Sequence, residues 1–195
     1  GWRSTTEAGP QERAAAGGGI NGAIADVRAA PAQHPRREIP PGVSVIARTL
    51  TGVKLVVVGG VAAGASVAAR ARRLDEFAEI VVFEKSHHVS FANCGLPYHI
   101  GEVITDRNRL LLQTPESLRE SLDIDVRIAT EVVSIDRAAK TVTVRELDSG
   151  RTYTESYDKL ALCMGARALR PPLPGIDLPG IHVLRRIADM DQIKT

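Results

Sequence analysis

The regular pattern of apolar residues begins at Val53 and opens with a buried strand. The run "VKLVVVGG" is β-branched and apolar and ends in glycines, as in a strand that is covered on both faces. It is followed by "AAGASVAARARRLDE", where alanine and leucine favour a helix and charges gather at the end. A second apolar run, "AEIVVFEK", comes next. Residues 54–84 therefore predict a β-α-β unit.

A second group of elements follows from about residue 114. Thr114, Pro115 and Glu116 supply a capping residue, a proline at the first helical position and an acid in the first turn, which predicts a short helix to about Leu122. The segments "IDVRIAT", "EVVSIDRAAKTVTVREL" and "RTYTESYDKLALCMG" come next, and the middle one alternates on both sides of "DRAAK", as a hairpin does. We expect a small antiparallel sheet inserted after the first two parallel strands, with "KLALCMG" returning to the main sheet. The predicted fold class is α/β.

The first 52 residues have a different composition. Stretches such as "AAAGGGINGA" and "PAQHPRREIPPG" are rich in Ala, Gly and Pro and keep no period of 2 or 3.6, which predicts a disordered, low-complexity extension. The chain starts at Gly1 and its first methionine is Met164, so we expect a processed or partial product. The apolar stretch from Val53 is interrupted by Lys54 and three glycines, which argues against a membrane span.

Composition narrows the classes of partner. Apolar residues make up 44% of the chain, charged residues make up 25%, and the net charge is only +2, so nothing favours nucleic acid or an anionic membrane. The two cysteines, Cys94 and Cys163, do not form a disulfide scaffold, and no Cys/His cluster has metal-ligand spacing. We predict no metal and a reducing, cytoplasmic location.

The glycine loop after the first strand is a candidate phosphate site. Gly59, Val61 and Gly64 fall on the three positions of the G-x-G-x-x-G dinucleotide fingerprint, so the middle glycine is missing, while Gly60 lies one place early. Glu84 ends the next strand, 20 residues past Gly64, the offset expected for an acid that binds a ribose hydroxyl. An acid suits an unphosphorylated ribose, as in FAD or NAD. The alternative is a tight βα turn with Glu84 merely solvated.

Cys94 lies ten residues past Glu84, in "VSFANCGLPYHIG". The residues alone leave open packing, metal binding, half of a disulfide, or a nucleophile. This run, together with "VVVGGVAAGASVAARARRLDE", resembles the flavin-dependent pyridine nucleotide–disulfide oxidoreductases, and among them the coenzyme A-disulfide reductases and their rhodanese-fused, persulfide-reducing relatives. The resemblance covers about residues 53–195. It implies a three-layer FAD/NAD(P)-binding fold with a Rossmann-like parallel sheet, here incomplete.

The resemblance also implies roles for individual residues. It implies that FAD is bound by a first set of five: Gly59, Gly60, Ala63, Gly64 and Glu84. It implies that Cys94 is the redox-active thiol near the flavin. It implies that a coenzyme A site is lined by a second set of five: Ser66, Arg70, Arg73, Ser90 and Asn93. Arg70 and Arg73 lie one turn apart and can meet phosphates together, although a solvated basic helix end is an equal alternative.

A single-thiol mechanism follows from position 99. Two-cysteine members of the family carry their second cysteine five positions after the first, and here that residue is His99. Cys94 would therefore form a mixed disulfide with an external thiol such as coenzyme A, with electrons from NAD(P)H through FAD. The alternative for Cys94 is a buried, structural role. Cys163 is expected to be a core residue, because it lies within an apolar strand. His99 is a candidate base near the thiol. Two other functions stay open: an NADH oxidase or peroxidase with a Cys94 sulfenic acid, and a non-catalytic nucleotide-binding module.

Several parts of such an enzyme are not recognised in this sequence. We find no second strand–glycine-loop–helix unit for the nicotinamide nucleotide, no late flavin motif and no dimer-interface domain, although the resemblance implies a homodimer. Residues 53–195 are therefore expected to be the N-terminal part of an FAD-binding domain. We expect this chain alone to retain flavin weakly and not to turn over NAD(P)H.

Overall fold

A four-stranded parallel sheet forms the centre of the protein. The computed structural model describes residues 52–195. The sheet has the order β3-β2-β1-β7, and every neighbouring pair in it is parallel. Its strands are β1 (Lys54–Val58), β2 (Glu79–Phe83), β3 (Asp125–Arg127) and β7 (Lys159–Leu162). A second, antiparallel sheet has the order β4-β5-β6 and consists of β4 (Thr130–Asp136), β5 (Thr141–Glu146) and β6 (Thr152–Ser156).

Within residues 52–195, four α-helices accompany these sheets. They are α1 (Ala63–Leu74), α2 (Leu96–Ile100), α3 (Pro115–Leu122) and α4 (Ile187–Lys194), and short 3₁₀ turns occur at Asn93–Gly95 and Arg107–Leu110. α1 connects β1 to β2, so the predicted β-α-β unit is confirmed. Thr114 caps α3, because its Oγ1 accepts from the backbone N–H of Ser117 at 3.2 Å.

The alternation of side chains in β1 and β2 builds two cores, one on each face of the parallel sheet. Val57 and Val82 face α1 and α3, where they meet Ala68 and Leu118. Val56, Val81 and Phe83 face the opposite way and pack against Val142 and Val144 of the antiparallel sheet. Successive side chains of a strand point to opposite faces, so two fully apolar strands need a cover on both sides. Helices, parallel sheet and antiparallel sheet therefore form three layers.

A third core supports the segment that carries the candidate cysteine. Ile187 and Met190 of α4 are almost completely buried, and they pack with Phe91, Leu96 and Leu110. Arg107 reinforces the contact, since its Nε and Nη2 each donate to a carboxylate oxygen of Asp191 at 2.8 Å. The last helix of the chain thus lies under the turn of Cys94.

Glu155 of β6 links the antiparallel sheet to the parallel one. Its carboxylate accepts from Lys54 Nζ at 2.7 Å and from Arg127 Nη1 at 2.6 Å, and these two cations lie on β1 and β3. Burial alone would raise the pKa of Glu155, but the two cations outweigh it and hold that pKa below its usual value. Burial would likewise lower the pKa of Arg127, and its hydrogen bonds to Tyr153, Glu155 and Asp125 raise it instead.

One strand differs from its predicted place. The segment "IDVRIAT" was expected in the antiparallel sheet, yet Asp125–Arg127 pairs in parallel with Val81–Phe83 at the edge of the main sheet. The helix α3 leads into it, and a β-α-β crossover of this kind returns parallel to the strand before it. The "DRAAK" hairpin and the return of "KLALCMG" to β1 are confirmed.

Two further predictions were a disordered N-terminal extension and the absence of a membrane span. The predicted disordered extension, residues 1–52, lies outside the described residues apart from Gly52. Within residues 52–195, no helix has both the length and the apolar character that crossing a membrane requires.

Candidate functional site

The connection from β1 into the first turn of α1 contains two glycines, Gly59 and Gly64, at positions that have no room for a side chain. Gly59 has a φ of +95°, and a Cβ placed on it would lie 2.4 Å from the carbonyl oxygen of Cys163. A Cβ on Gly64 would lie only 1.7 Å from the carbonyl oxygen of Gly59. The turn is therefore as tight as the fingerprint requires, although Val61 occupies the position of its middle glycine.

The start of α1 suits a negatively charged group. α1 is twelve residues long, its N-cap Ala62 makes no side-chain capping bond, and its first turn contains no acid. The unbonded N–H groups and the positive end of the helix dipole both favour an anion such as a diphosphate.

Glu84 lies directly beside this loop and is buried. Its carboxylate accepts from the backbone N–H of Gly60 at 2.7 Å and from the N–H and Oγ of Ser86, each at 2.8 Å. Only 7% of its surface is exposed, so the alternative of a merely solvated Glu84 is wrong. The acid and the loop amides are held at one place, as a ribose attached to a diphosphate requires.

A cleft of about 500 Å³ opens next to the loop, between α1 and α3. Ser66 and Arg73 of α1 line it, and Ser90 lies in its wall with Phe91. The opposite wall is largely apolar and includes Leu118 and Leu122. Three of the five residues predicted for coenzyme A, namely Ser66, Arg73 and Ser90, therefore share one cleft.

Ser90 is held in an uncommon backbone conformation. Its φ is +46°, although it is not a glycine. Its N–H donates to Gly60 O and its carbonyl accepts from Leu112 N–H, both at 3.0 Å. These two backbone hydrogen bonds hold Ser90 in a fixed position in the wall of the cleft.

The other two predicted coenzyme A residues are placed differently. Arg70 is exposed on α1 and does not line the cleft. Asn93 also lies outside the lining, and its side-chain N–H₂ donates to the carbonyl of Arg185 at 3.4 Å. Their roles toward a ligand stay predictions.

Cys94 lies in the 3₁₀ turn Asn93–Gly95, immediately before the short α2. The side chain is exposed and its thiol is free, as is that of Cys163. The alternatives of a structural buried cysteine and of a disulfide within the chain are thus wrong for Cys94. No metal-binding group of three or more His, Cys, Asp or Glu occurs within residues 52–195. Cys163 packs, partly buried, against the core under α1, which agrees with its predicted role.

His99 does not have the surroundings of an exposed base. It is 6% exposed, and its Nδ1 lies 2.6 Å from the carbonyl oxygen of Ile104. Its own carbonyl accepts from Lys194 Nζ at 3.0 Å, which ties α2 to α4. The ring therefore holds the loop after α2.

A family model for pyridine nucleotide-disulphide oxidoreductases matches residues 53–195. The chain belongs to this family. Its members bind FAD and NAD(P)H, and the predicted fold class and enzyme class are confirmed. The loop, the acid and the cysteine described above lie within the matched residues of this oxidoreductase chain.

Individual relatives agree with the family match. The chain is 44% identical over 140 residues to coenzyme A disulfide reductase of Staphylococcus haemolyticus, a match that covers 72% of this chain and 31% of that protein. It resembles the crystal structure of reduced CoADR-RHD of Bacillus anthracis with a TM-score of 0.72 and 49% identity, covering 73% of this chain and 26% of the other.

A second solved structure is a persulfide reductase. The NAD-dependent persulfide reductase of A. fulgidus matches with a TM-score of 0.69 and 35% identity, over 72% of this chain and 26% of that one. The oxidoreductase chain therefore spans less than a third of the length of these relatives.

Several supporting residues of this oxidoreductase site were not found by sequence reasoning. Ser86 holds the Glu84 carboxylate, and the local signal was a hydroxyl residue two positions after the acid. Asp189 is buried, and its Oδ2 accepts from the backbone N–H groups of Arg185 and Arg186. Burial would raise the pKa of Asp189, but these hydrogen bonds and the Arg186 guanidinium keep it below the usual value.

Proposed function

We propose that this chain provides the FAD-binding part of an NAD(P)H-dependent disulfide oxidoreductase, and that its substrate is coenzyme A disulfide or a related persulfide. The observation that carries the proposal is an exposed Cys94, four residues past Ser90 in a cleft wall that also contains Ser66 and Arg73. The kinship with a coenzyme A disulfide reductase and a persulfide reductase supports the substrate class.

The residues present fit FAD. Gly59 and Gly64 leave room for a backbone approach, the start of α1 favours a diphosphate, and Glu84 lies 2.7 Å from the Gly60 amide. Gly60 and Ala63 complete the predicted set: Gly60 lies in the turn after β1 and Ala63 is the first residue of α1. When bound, FAD supplies the transfer of an electron pair from NAD(P)H to the disulfide.

Cys94 performs the thiol chemistry in this proposal. Its thiolate attacks one sulfur of coenzyme A disulfide, the S–S bond of the substrate breaks, and one coenzyme A leaves as a thiolate. The product is a mixed disulfide between Cys94 and the second coenzyme A. An electron pair delivered to that bond releases the second coenzyme A and restores the Cys94 thiolate.

The cleft residues orient the substrate. Arg73 is exposed in the last turn of α1 and its guanidinium is available to a phosphate, and the hydroxyls of Ser66 and Ser90 offer hydrogen bonds in the same cleft. His99 replaces a second cysteine, so the external thiol takes the place of an internal one. NAD(P)H as the electron source and a homodimer as the assembly belong to the same proposal for the full-length protein.

The test is adduct formation without any reductant. The chain is incubated anaerobically with coenzyme A disulfide, and its intact mass is followed over time. We expect one coenzyme A per chain on Cys94, complete loss of the adduct in Cys94→Ser, and retention in the matched control Cys163→Ser. Arg73→Gln should slow adduct formation by about fivefold to tenfold, the effect of losing one charge-assisted contact.

Other outcomes favour other functions. Glutathione disulfide reacting as fast as coenzyme A disulfide would contradict recognition by the cleft. A Cys94 sulfenic acid in the absence of any coenzyme A adduct would favour an NADH oxidase or peroxidase. Labelling of Cys94 by a thiol reagent at the rate of an unperturbed cysteine, together with no adduct, would favour a non-catalytic nucleotide-binding module.

A further inference from the structure

Arg185, just before α4, binds a turn that lies far from it in the sequence. Its Nε donates to the carbonyl oxygen of Ala166 at 2.9 Å. Its Nη2 lies against Gly165, where an added Cβ would be 2.7 Å away. Gly165 has a φ of +69°, a backbone conformation that favours glycine. Among residues 52–195, no carboxylate forms an ion pair with Arg185.

The turn held by Arg185 touches the nucleotide loop. It begins two residues after Cys163, whose N–H donates to Val58 O at 2.8 Å at the end of β1. The carbonyl of Cys163 is the group that would lie 2.4 Å from a Cβ on Gly59. A displacement of Gly165 and Ala166 would therefore be transmitted to the back of the glycine loop, because the two backbones are already in contact.

Two hydrogen bonds connect the backbone of Arg185 to α4 and to the turn that carries Cys94. Its N–H donates to Asp189 Oδ2 at 3.0 Å, and its carbonyl accepts from the amide of Asn93, the residue before Cys94. Asp189 is buried in α4, and α4 is held in the core under Leu96. One residue therefore contacts both the turn behind the nucleotide loop and the turn of the thiol.

We propose that Arg185 is a positioning residue, which keeps the Gly165–Ala166 turn, and with it the nucleotide loop, at a fixed place relative to the turn of Cys94. The catalytic consequence rests on the proposed function, since transfer of an electron pair between a flavin and Cys94 needs a fixed separation of the two. The placement itself rests only on the contacts of Arg185.

Arg186 offers a matched control. It is the neighbouring arginine, its side chain is 60% exposed, and its guanidinium contacts Asp189 but neither Gly165 nor Ala166. Arg186→Gln removes a guanidinium from the same end of α4 and leaves the turn untouched. Arg185→Gln removes the bond to Ala166, and Arg185→Lys keeps a cationic donor that can reach one carbonyl.

The first measurement needs no cofactor and uses Cys163 as a reporter, because it lies two residues before Gly165. The labelling rate of Cys163 by a thiol reagent is followed by peptide mass spectrometry, below the melting temperature of every variant. Arg185→Gln should raise that rate about tenfold, the effect of losing one hydrogen bond of a charged donor. Arg185→Lys should restore most of the protection, and Arg186→Gln should label like the wild type.

The second measurement is FAD affinity, followed by the absorption spectrum of the flavin. We expect Arg185→Gln to bind FAD about tenfold more weakly than Arg186→Gln, at an equal melting temperature. Equal Cys163 rates in Arg185→Gln and Arg186→Gln would overturn the inference, and so would a failure of the lysine variant to rescue. A wild type that binds no FAD would overturn the proposed function instead, and the Cys163 rates would still decide the role of Arg185.

Discussion

At the scale of single residues, the site depends on backbone positions where a side chain has no room. Gly59 and Gly64 make the close contacts of the nucleotide loop, and Ser90 adopts a left-handed conformation between two backbone hydrogen bonds. Glu84 joins the loop to the end of β2 through the Gly60 amide. A side-chain atom added at Gly59 or Gly64 would therefore displace the backbone of the loop, without changing any reacting group.

Gly64→Ala is expected to damage the loop severely. The added methyl would lie 1.7 Å from Gly59 O, so the loop or α1 must move. We expect the free energy of unfolding to fall by about 2–4 kcal/mol and FAD binding to weaken more than tenfold. Chemical denaturation and flavin titration measure the two effects.

Gly101→Ala is the control for this substitution. Gly101 has a φ of −80°, and its added Cβ would be 3.4 Å from the nearest atom, an ordinary contact. We expect its unfolding free energy to stay within about 0.5 kcal/mol of the wild type. A Gly64→Ala variant as stable and as competent for flavin as Gly101→Ala would show that the loop can rearrange.

At the scale of elements, an ion network holds the antiparallel sheet against the parallel one. Glu155 on β6 contacts cations on β1 and β3, and its side chain is only 14% exposed. The apolar contact between the layers involves few residues, with Val142 and Val144 as the fully buried apolar side chains that the antiparallel sheet contributes to it. The polar link should therefore contribute measurably to stability.

Glu155→Gln is expected to lower the free energy of unfolding by about 1–3 kcal/mol at pH 7. The reason is that Lys54 and Arg127, both partly buried, lose the carboxylate that they share. Since the pKa of Glu155 is lowered in the folded state, its stabilisation is complete above the unfolded pKa of about 4.3 and is lost as the pH falls through the folded value. The difference between wild type and variant should thus shrink below about pH 4. Denaturation series from pH 3 to pH 7 measure it.

Glu131→Gln is the matched control for the network. Glu131 also pairs with two cations, Lys85 and Arg145, but those side chains are 63% and 50% exposed. An exposed pair of this kind contributes about 0–1 kcal/mol, so we expect a small effect. Equal effects of the two substitutions would mean that Glu155 does not act as a link between the layers.

At the scale of the whole molecule, residues 52–195 contain three apolar cores, and the third packs α4 against the segment that carries Cys94. Met190 is 0% exposed and packs with Phe91, Leu96 and Leu110. These residues flank Cys94 on both sides in the sequence. The position of the thiol therefore depends on a helix that lies about ninety residues further along the chain.

Met190→Ala is expected to reduce the free energy of unfolding by about 2–5 kcal/mol, because it leaves a cavity under α2. It should also slow the formation of the coenzyme A adduct on Cys94, since the supporting core loosens. The exposed neighbour Gln192→Ala provides the control, with a change within about 0.5 kcal/mol. An unchanged adduct rate in Met190→Ala would show that the packing of α4 does not control the position of the Cys94 thiol.

The sequence by itself determined the layout of the first half of the site. The strand, glycine turn and helix, the acid after β2, and the capped helix at Thr114 are local patterns, and they appear where predicted because each depends on neighbouring residues. The exposed position of Cys94 agrees with the resemblance that was recognised in its segment.

Only the tertiary structure decided which distant residues support that site. The parallel pairing of Asp125–Arg127, the sharing of Glu155 between Lys54 and Arg127, and the two-sided contacts of Arg185 join residues that lie far apart in the chain. A charge pattern cannot reveal such pairs, because the sequence gives each ion many possible partners and the packing of the layers selects among them. For the same reason Ser66, Arg73 and Ser90 share a cleft while Arg70 and Asn93 do not line it.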